Sequence, residues 1–381
     1  MGTKNICILK QRLGQTGGLE KSTLKIAEGF AQKGHRVSLI CSSKEPQDLP
    51  SYLNYIKINL ESLTTFLQVL EFDHKVNQFL KENHFDIVFG MERNTLPTHV
   101  RLGNGIHRAY LDRRNQIEPL IKQLITKINP LHHLLLHMEK KTLENPNLKK
   151  IITNSHMVAR ELSSYYNADE KKVQVIHNGV EWHQIEKDFN SWLEVKHKSI
   201  SLFSLDSSKF QLLFVGHGFK RKGLLVLLEA LALMPHRDFH LHVVGKDKNL
   251  SFYQKKASTL ALFDHVTFHG EQKNIKMFYQ IADCVVIPSY YDPFANVTVE
   301  ALAMGIPVIS SLYNGGAEIL SDEIGYKVES LQDPHLLKEA LEASFEKPKT
   351  WSRSIKIRES VKGLDFSFQI GKLVDACLHS C

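Results

Sequence analysis

SYYDPFANVTVEALAMGIPVIS, residues 289–310, decides how the chain is read. The run CVVIPS, ending at Ser289, reads as a buried strand, and PVISS, ending at Ser311, reads as the next. Between them Val297 to Met304 carries the small and apolar residues of a helix, so the stretch is a strand–helix–strand unit of parallel α/β type. That helix holds a carboxylate, Glu300, in its middle. A second acid, Asp292, stands eight positions earlier, just before Pro293. A charge on an apolar helix is costly unless something hydrogen-bonds to it.

The same alternation extends in both directions. NICILK (5–10), RVSLIC (36–41), FDIVFG (85–90), KIITNS (150–155) and KVQVIHNGV (172–180) read as strands of a first half, with a helix pattern from Leu19 to Gln32. FQLLFVG, FHLHVVG and HVTFHG precede the opening unit in a second half, and FSFQIGKLVDACL (366–378) reads as a terminal helix. The chain therefore predicts two doubly wound domains, divided near Asn178 to Glu181, with ligands bound beyond the carboxyl ends of the strands. At 381 residues it exceeds one ordinary core.

Hydrophobic content of 43% and charged content of 23% are those of a globular protein, and no apolar run is long enough to span a bilayer. The start reads as a strand and a Gly-rich turn, not as a signal peptide. Five scattered cysteines without CxxC spacing suit a reducing compartment and argue against a zinc site, so the cytoplasm is the expected location. The net charge of +7 is uneven: residues 101–150 hold ten Lys or Arg against four acids, a local excess of +6.

Four loops carry candidate chemistry. Gly17 and Gly18 lie between the first strand and the first helix, where glycines admit a ligand to the backbone and a helix start favours an anion. A plain tight turn explains them equally. In VGHGFKRKG (215–223), Lys220, Arg221 and Lys222 follow a strand and are placed to neutralise a diphosphate; the competing reading is a solvated basic loop. Around the opening stretch, Asn296 reads as the N-cap of the helix, whose first amides can bind phosphate. Glu300 and Asp292 can accept hydrogen bonds from paired sugar hydroxyls. NGGAEIL (314–320) either offers amides to a phosphate or is an ordinary turn.

The D-x7-E spacing, followed by ALAMGIPVI and a Gly-Gly-x-Glu loop, resembles the E-x7-E signature of retaining glycosyltransferases of family four. KKIITNS, VIHNGV, the RKG loop and the N-terminal Gly-Gly stand where that family has counterparts. The resemblance implies the GT-B fold: two Rossmann-like α/β domains facing across a cleft, with a C-terminal helix returning to the first. On that pattern residues 1–178 form the acceptor-side domain, 179–365 the nucleotide-sugar domain, and 366–381 the returning helix. It also implies that Glu300 binds the donor ribose and Asp292 the transferred sugar. Arg221 and Lys222 would bind the diphosphate, and main-chain amides at Phe294, Ala295, Asn296 and Val297 the sugar and phosphate. Asp rather than Glu at the first acidic position keeps the charge on a shorter arm. His107, in RLGNGIHRAYL, is a candidate for contact with the transferred sugar, against a structural role.

Within the family the segment after YLDRR is most similar to the lipopolysaccharide core glucosyltransferases. Here Ile117, Leu120, Ile121, Leu124, Ile125 and Ile128 recur at helical spacing with Lys and Arg beside them. Such a segment either lies on an anionic membrane or packs its apolar face on the core. The expectation is a cytoplasmic, membrane-peripheral hexosyltransferase, moving glucose from a UDP-sugar to a lipid-linked saccharide. No D-x-D motif is present, so neither metal nor cofactor is expected. Other acceptors, such as capsule, exopolysaccharide or glycolipid, remain open, as does a non-catalytic nucleotide-sugar-binding protein of the same fold. Nucleic acid is disfavoured, because the positive charge lies among aliphatic rather than base-stacking aromatic residues.

Overall fold

The computed structural model describes residues 2–13, 18–202, 206 and 208–380. Gly17 lies outside them. Two compact units divide the chain, Met1–His177 with Ser367–Cys381, and Asn178–Phe366.

The first unit is built on seven parallel strands: β1 (Asn5–Leu9), β2 (Arg36–Cys41), β3 (Leu53–Lys57), β4 (Ile87–Gly90), β5 (His99–Leu102), β6 (Lys150–Thr153) and β7 (Val173–Val175). Their order is β3-β2-β1-β4-β5-β6-β7. The second unit has β8 (Phe210–Val215), β9 (Phe239–Val244), β10 (Val266–Gly270), β11 (Cys284–Ile287), β12 (Val308–Ser311) and β13 (Gly325–Val328), ordered β10-β9-β8-β11-β12-β13. Each sheet thus reverses direction once, between β1 and β4 and between β8 and β11. In open parallel sheets that reversal opens the ligand crevice at the strand ends.

Burial on both faces explains the apolar runs. In the second sheet alternate residues serve opposite cores. Leu212, Phe214, Cys284, Val286 and Ile309 join one apolar cluster, while Leu213, Val285, Ile287 and Val308 join the other. Three strands escape the sequence reading, and each lacks such a run. β3 and β13 are edge strands with exposed polar positions, and β5, HVRL, buries His99 and Arg101. The described cysteines Cys7, Cys41, Cys284 and Cys377 are buried and in no disulfide.

The terminal helix Phe366–Leu378 docks on the helix Gly18–Gln32. A Cβ at Gly29 would lie 2.6 Å from Ile370, so only glycine allows that approach. An ion pair between Lys33 and Asp375 and a 3.0 Å contact of His99 with Ser380 fasten the same end.

Burial, reinforced by Lys149, pushes the imidazole of His99 down to about 4. Burial, with Arg93 and His132 adding to it, takes His107 down to about 3, and burial next to His240 and His269 takes His242 to about 3. These rings fold neutral. Below their ordinary value near 6.5 the unfolded chain binds protons that the folded chain refuses, so stability falls as pH falls. The expected result is a lower urea midpoint at pH 5 than at pH 7.5, with a plateau above neutrality; equal midpoints would contradict it.

Candidate active site

The reversal between β8 and β11 is where the second unit gathers its charges. The chain leaves β8 through Gly218, makes one short helical turn at Phe219–Lys222, and turns again at Gly223. Gly223 has φ 77°, and a Cβ there would stand 1.8 Å from the Pro288 carbonyl oxygen. No other residue fits both demands. This close approach locks the loop after β8 to the loop after β11. The Tyr290 amide donates to the Arg221 carbonyl at 2.9 Å, and the Arg221 guanidinium donates to the Tyr291 carbonyl at 2.8 Å.

The result is an ion cluster. Lys222 Nζ lies 2.5 Å and Arg221 Nη1 3.3 Å from the same oxygen of Asp292. Burial alone would push the Asp292 carboxyl up, but Lys222 and then Arg221 outweigh it and hold the group below its ordinary value, so it stays ionised. The Lys222 and Asp292 side chains are 12% and 11% exposed, whereas Arg221 is 39% exposed and faces solvent. Two cations against one anion leave a net positive site with an accessible guanidinium, suited to an oxyanion.

The helix Asn296–Ala303 enters this cluster with its N-terminus. Its cap differs from the sequence reading. Asn296 is the first helical residue and not the N-cap, which is Ala295. The capping side chain comes from Asn314, which is 1% exposed. Its Oδ1 accepts from the amides of Ala295 and Gly316 at 2.9 and 3.1 Å, and its Nδ2 donates to Thr298 and Ser310. The Ala295 amide is therefore engaged within the protein. Asn296 Oδ1 accepts from Asn178 at 2.8 Å, and the Asn178 amide also reaches the Phe294 carbonyl. Asn296 and Val297 open the helix, where amides have no intrahelical acceptor.

The NGGAEIL loop acts as scaffold. The Gly315 amide donates to the Asp292 carbonyl, Gly316 to Asn314 Oδ1, and Ala317 to the Asn314 carbonyl, so these three amides serve the turn. At the far end of the site helix, Arg358 donates to the Ala303 carbonyl at 2.5 Å and to the Trp182 carbonyl at 2.7 Å. Its guanidinium lies 4.0 Å from the Trp182 ring centre. A cation at a helix C-terminus offsets the dipole there.

Glu300 is half-buried and accepts from the Tyr279 hydroxyl at 2.7 Å. The sequence reading assigned this carboxylate a ribose and did not anticipate the phenol, which arrives from the helix Lys276–Ile281. An aromatic within a short helix reads as core, and nothing in its spacing marks its hydroxyl. Gly18 opens the helix Gly18–Gln32 in the other unit.

His107 also belongs to the first unit, as the first residue of the helix His107–Ile117. It is buried. Its amide donates to Glu139 Oε2 at 2.7 Å, and its Nε2 pairs with His132 Nδ1 at 3.1 Å. Glu139, 2% exposed, also accepts from Arg93, Arg108 and Tyr166. At that unit's own reversal, Lys10 after β1 pairs with Glu92 after β4.

The basic segment forms three helices, His107–Ile117, Leu120–Ile128 and Pro130–Leu143. The break at Glu118 and Pro119 puts Ile117 on the first helix, apart from its expected partners. The second presents Leu120, Ile121, Leu124, Ile125 and Ile128 to solvent, each 56–76% exposed. Among the described residues, no helix is long and apolar enough to cross a membrane.

Residues 196–360 match the family described as "Glycosyl transferases group 1", and residues 16–183 match "Glycosyltransferase Family 4". Over 315 residues the chain is 26% identical to the lipopolysaccharide glucosyltransferase WaaG of Escherichia coli, covering 80% of each protein. It is 28% identical over 329 residues to the uncharacterized glycosyltransferase MJ1607 of Methanocaldococcus jannaschii, covering 81% of this chain and 80% of that one. The solved structure of WaaG superposes with a TM-score of 0.76 at 21% identity, covering 97% of this chain and 98% of that one. Anabaena HepE, solved with UDP-glucose, superposes with a TM-score of 0.70 at 16% identity, over 99% and 100%. With a family match on each unit and two parallel sheets of this order, the chain belongs to the GT-B glycosyltransferases.

Proposed function

We propose that the protein is a retaining hexosyltransferase that moves glucose from UDP-glucose to a lipid-linked saccharide of the lipopolysaccharide inner-core type. The observation that carries this reading is the cluster of Arg221, Lys222 and Asp292 at the β8–β11 reversal. WaaG, named as a lipopolysaccharide glucosyltransferase, and HepE, solved with UDP-glucose, support the acceptor class and the donor.

In this reading Arg221 and Lys222 take the charge of the diphosphate, which grows as the sugar leaves. Fixed cations supply what a metal would otherwise supply, so transfer runs without one. The amides of Asn296 and Val297 meet phosphate or sugar oxygens at the helix start. Asp292 receives a hydroxyl of the transferred sugar, and Glu300 the ribose. The bond from the sugar C1 to the phosphate oxygen breaks while the acceptor oxygen bonds to C1 on the same face. The acceptor's proton passes to the departing phosphate oxygen.

The exposed face of the helix Leu120–Ile128 gives the enzyme a place to meet its acceptor. Five large aliphatics on one nine-residue helix form an apolar patch, with Lys122 and Lys127 exposed beside it. Lys140 and Lys141 follow on the next helix, also exposed. Apolar surface bordered by cations fits an anionic leaflet. We assign it to peripheral binding at the cytoplasmic face of the membrane.

Lys222→Ala is expected to lower glucose transfer from UDP-glucose by roughly 10²–10³-fold, assayed below its melting transition, which also falls because buried Asp292 loses its nearest cation. Unchanged turnover would remove the cluster from the mechanism. Asp292→Asn separates the acid's role from that of its neighbours. Without the anion UDP should bind more tightly while transfer falls; weakened UDP binding would make Asp292 a mere holder of the cations. Replacing Lys122, Lys127, Lys140 and Lys141 by Gln should weaken sedimentation with phosphatidylglycerol vesicles by about 1 kcal/mol per lysine at low salt. Binding that ignores all four changes would show that the segment is not the anchor.

A further inference from the structure

We propose that Tyr279 is a positioning residue for donor recognition: its hydroxyl fixes the Glu300 carboxylate in the one orientation that reads the ribose hydroxyls of a nucleoside diphosphate. The inference rests on the reading of Glu300 as the ribose ligand and deepens it.

The donor side of this hydrogen bond cannot yield. Tyr279 is 3% exposed and lies in the apolar cluster that also contains Val299, Ala301 and Leu302 of the site helix. Its own helix, Lys276–Ile281, is pinned from both ends. Lys276 pairs with Asp188 at 2.6 Å, and the Gln280 side chain donates to the Asp188 carbonyl and to Ser191. A buried phenol needs a hydrogen-bond partner. The structure supplies Glu300 Oε2 at 2.7 Å, an ordinary hydroxyl hydrogen bond.

Glu300 has the opposite character. A glutamate has three rotatable side-chain bonds, so an unanchored carboxylate loses much rotamer freedom whenever it grips a ligand. With one oxygen tied to Tyr279 that ordering is complete before the donor arrives, as preorganised sites require. The tie also sets selectivity. A carboxylate held in place rejects a sugar lacking the hydroxyl it was placed to meet, whereas a mobile one relaxes into another contact.

The experiment is calorimetric titration of the full-length protein with UDP and with 2′-deoxy-UDP. The parent is expected to prefer UDP by about tenfold or more, the scale of one hydrogen bond to a charged group. Glu300→Gln should bring that preference close to one. Tyr279→Phe removes only the oxygen, and it should erase most of the preference while 2′-deoxy-UDP binds within about twofold of the parent. A general packing defect would weaken both ligands alike and leave the ratio intact. Tyr279→Leu removes the same oxygen with a different side chain in the core and should erase the preference too, which keeps the test available if the Phe variant does not fold. If Glu300→Gln loses the preference while Tyr279→Phe or Tyr279→Leu keeps it, the inference is overturned and the ribose reading stands. If the parent shows no preference, or Glu300→Gln keeps it, the ribose reading itself fails and the positioning role falls with it.

Discussion

A single buried carboxylate organises the second unit. Asp292 is taken out of water, and a buried ion without compensation costs several kcal/mol. Lys222 and Arg221 provide the compensation, yet they stand about 70 positions earlier in the chain. Only the strand order brings them together. β8 and β11 are neighbours because the sheet changes direction there, and the loops leaving their carboxyl ends meet over the crevice. The rest of the site fits around that meeting. Gly223 passes under the Pro288 carbonyl, Tyr290 and Tyr291 bond to Arg221, and Asn314 ties the start of the site helix to the next turn. An added methyl group at Gly223 would separate the loops and leave the acid without its cations.

This hierarchy explains what the sequence discloses. Strands buried on both faces announce themselves as apolar runs, so β1, β2, β4, β8, β9, β11 and β12 are legible, and with them the α/β class and the loops that follow the strands. β5 is not, because His99 and Arg101 occupy buried positions in a central strand and imitate a loop. Arg221, Lys222 and Asp292 are legible as residue types in loops that the fold brings together. Their partners are not. Position along the chain places Asn296 at a helix start but cannot show that the cap comes from Asn314, or that Glu300 is met by a hydroxyl 21 residues away. Tertiary partners of polar side chains are chosen by the packing of whole helices, and no local periodicity encodes them.

The basic segment shows the same limit from the other side. Helical spacing of Leu120, Ile121, Leu124, Ile125 and Ile128 establishes that they share a face, and a core-facing helix and a surface-lying helix have the same period. What distinguishes them is whether the fold offers a partner. Here the helix directs that face outward, leaving 56–76% of each side chain in water. A patch of this kind is a liability in water unless something covers it. The lysines beside it make the patch complementary to an apolar, negatively charged surface.

The two sheets solve the same geometric problem with opposite polarity. At each reversal a lysine from the first loop meets an acid from the second: Lys10 with Glu92 in one unit, Lys222 with Asp292 in the other. In the first unit the lysine side chain is 4% exposed and the glutamate 27%, so the group facing solvent is an acceptor. In the second the acid is 11% exposed and a further cation, Arg221, faces out at 39%. A carboxylate at the mouth of a crevice favours hydroxyl donors and repels phosphate; a guanidinium does the reverse. Duplicated topology with the outward charge inverted thus gives one architecture two crevice mouths of opposite preference.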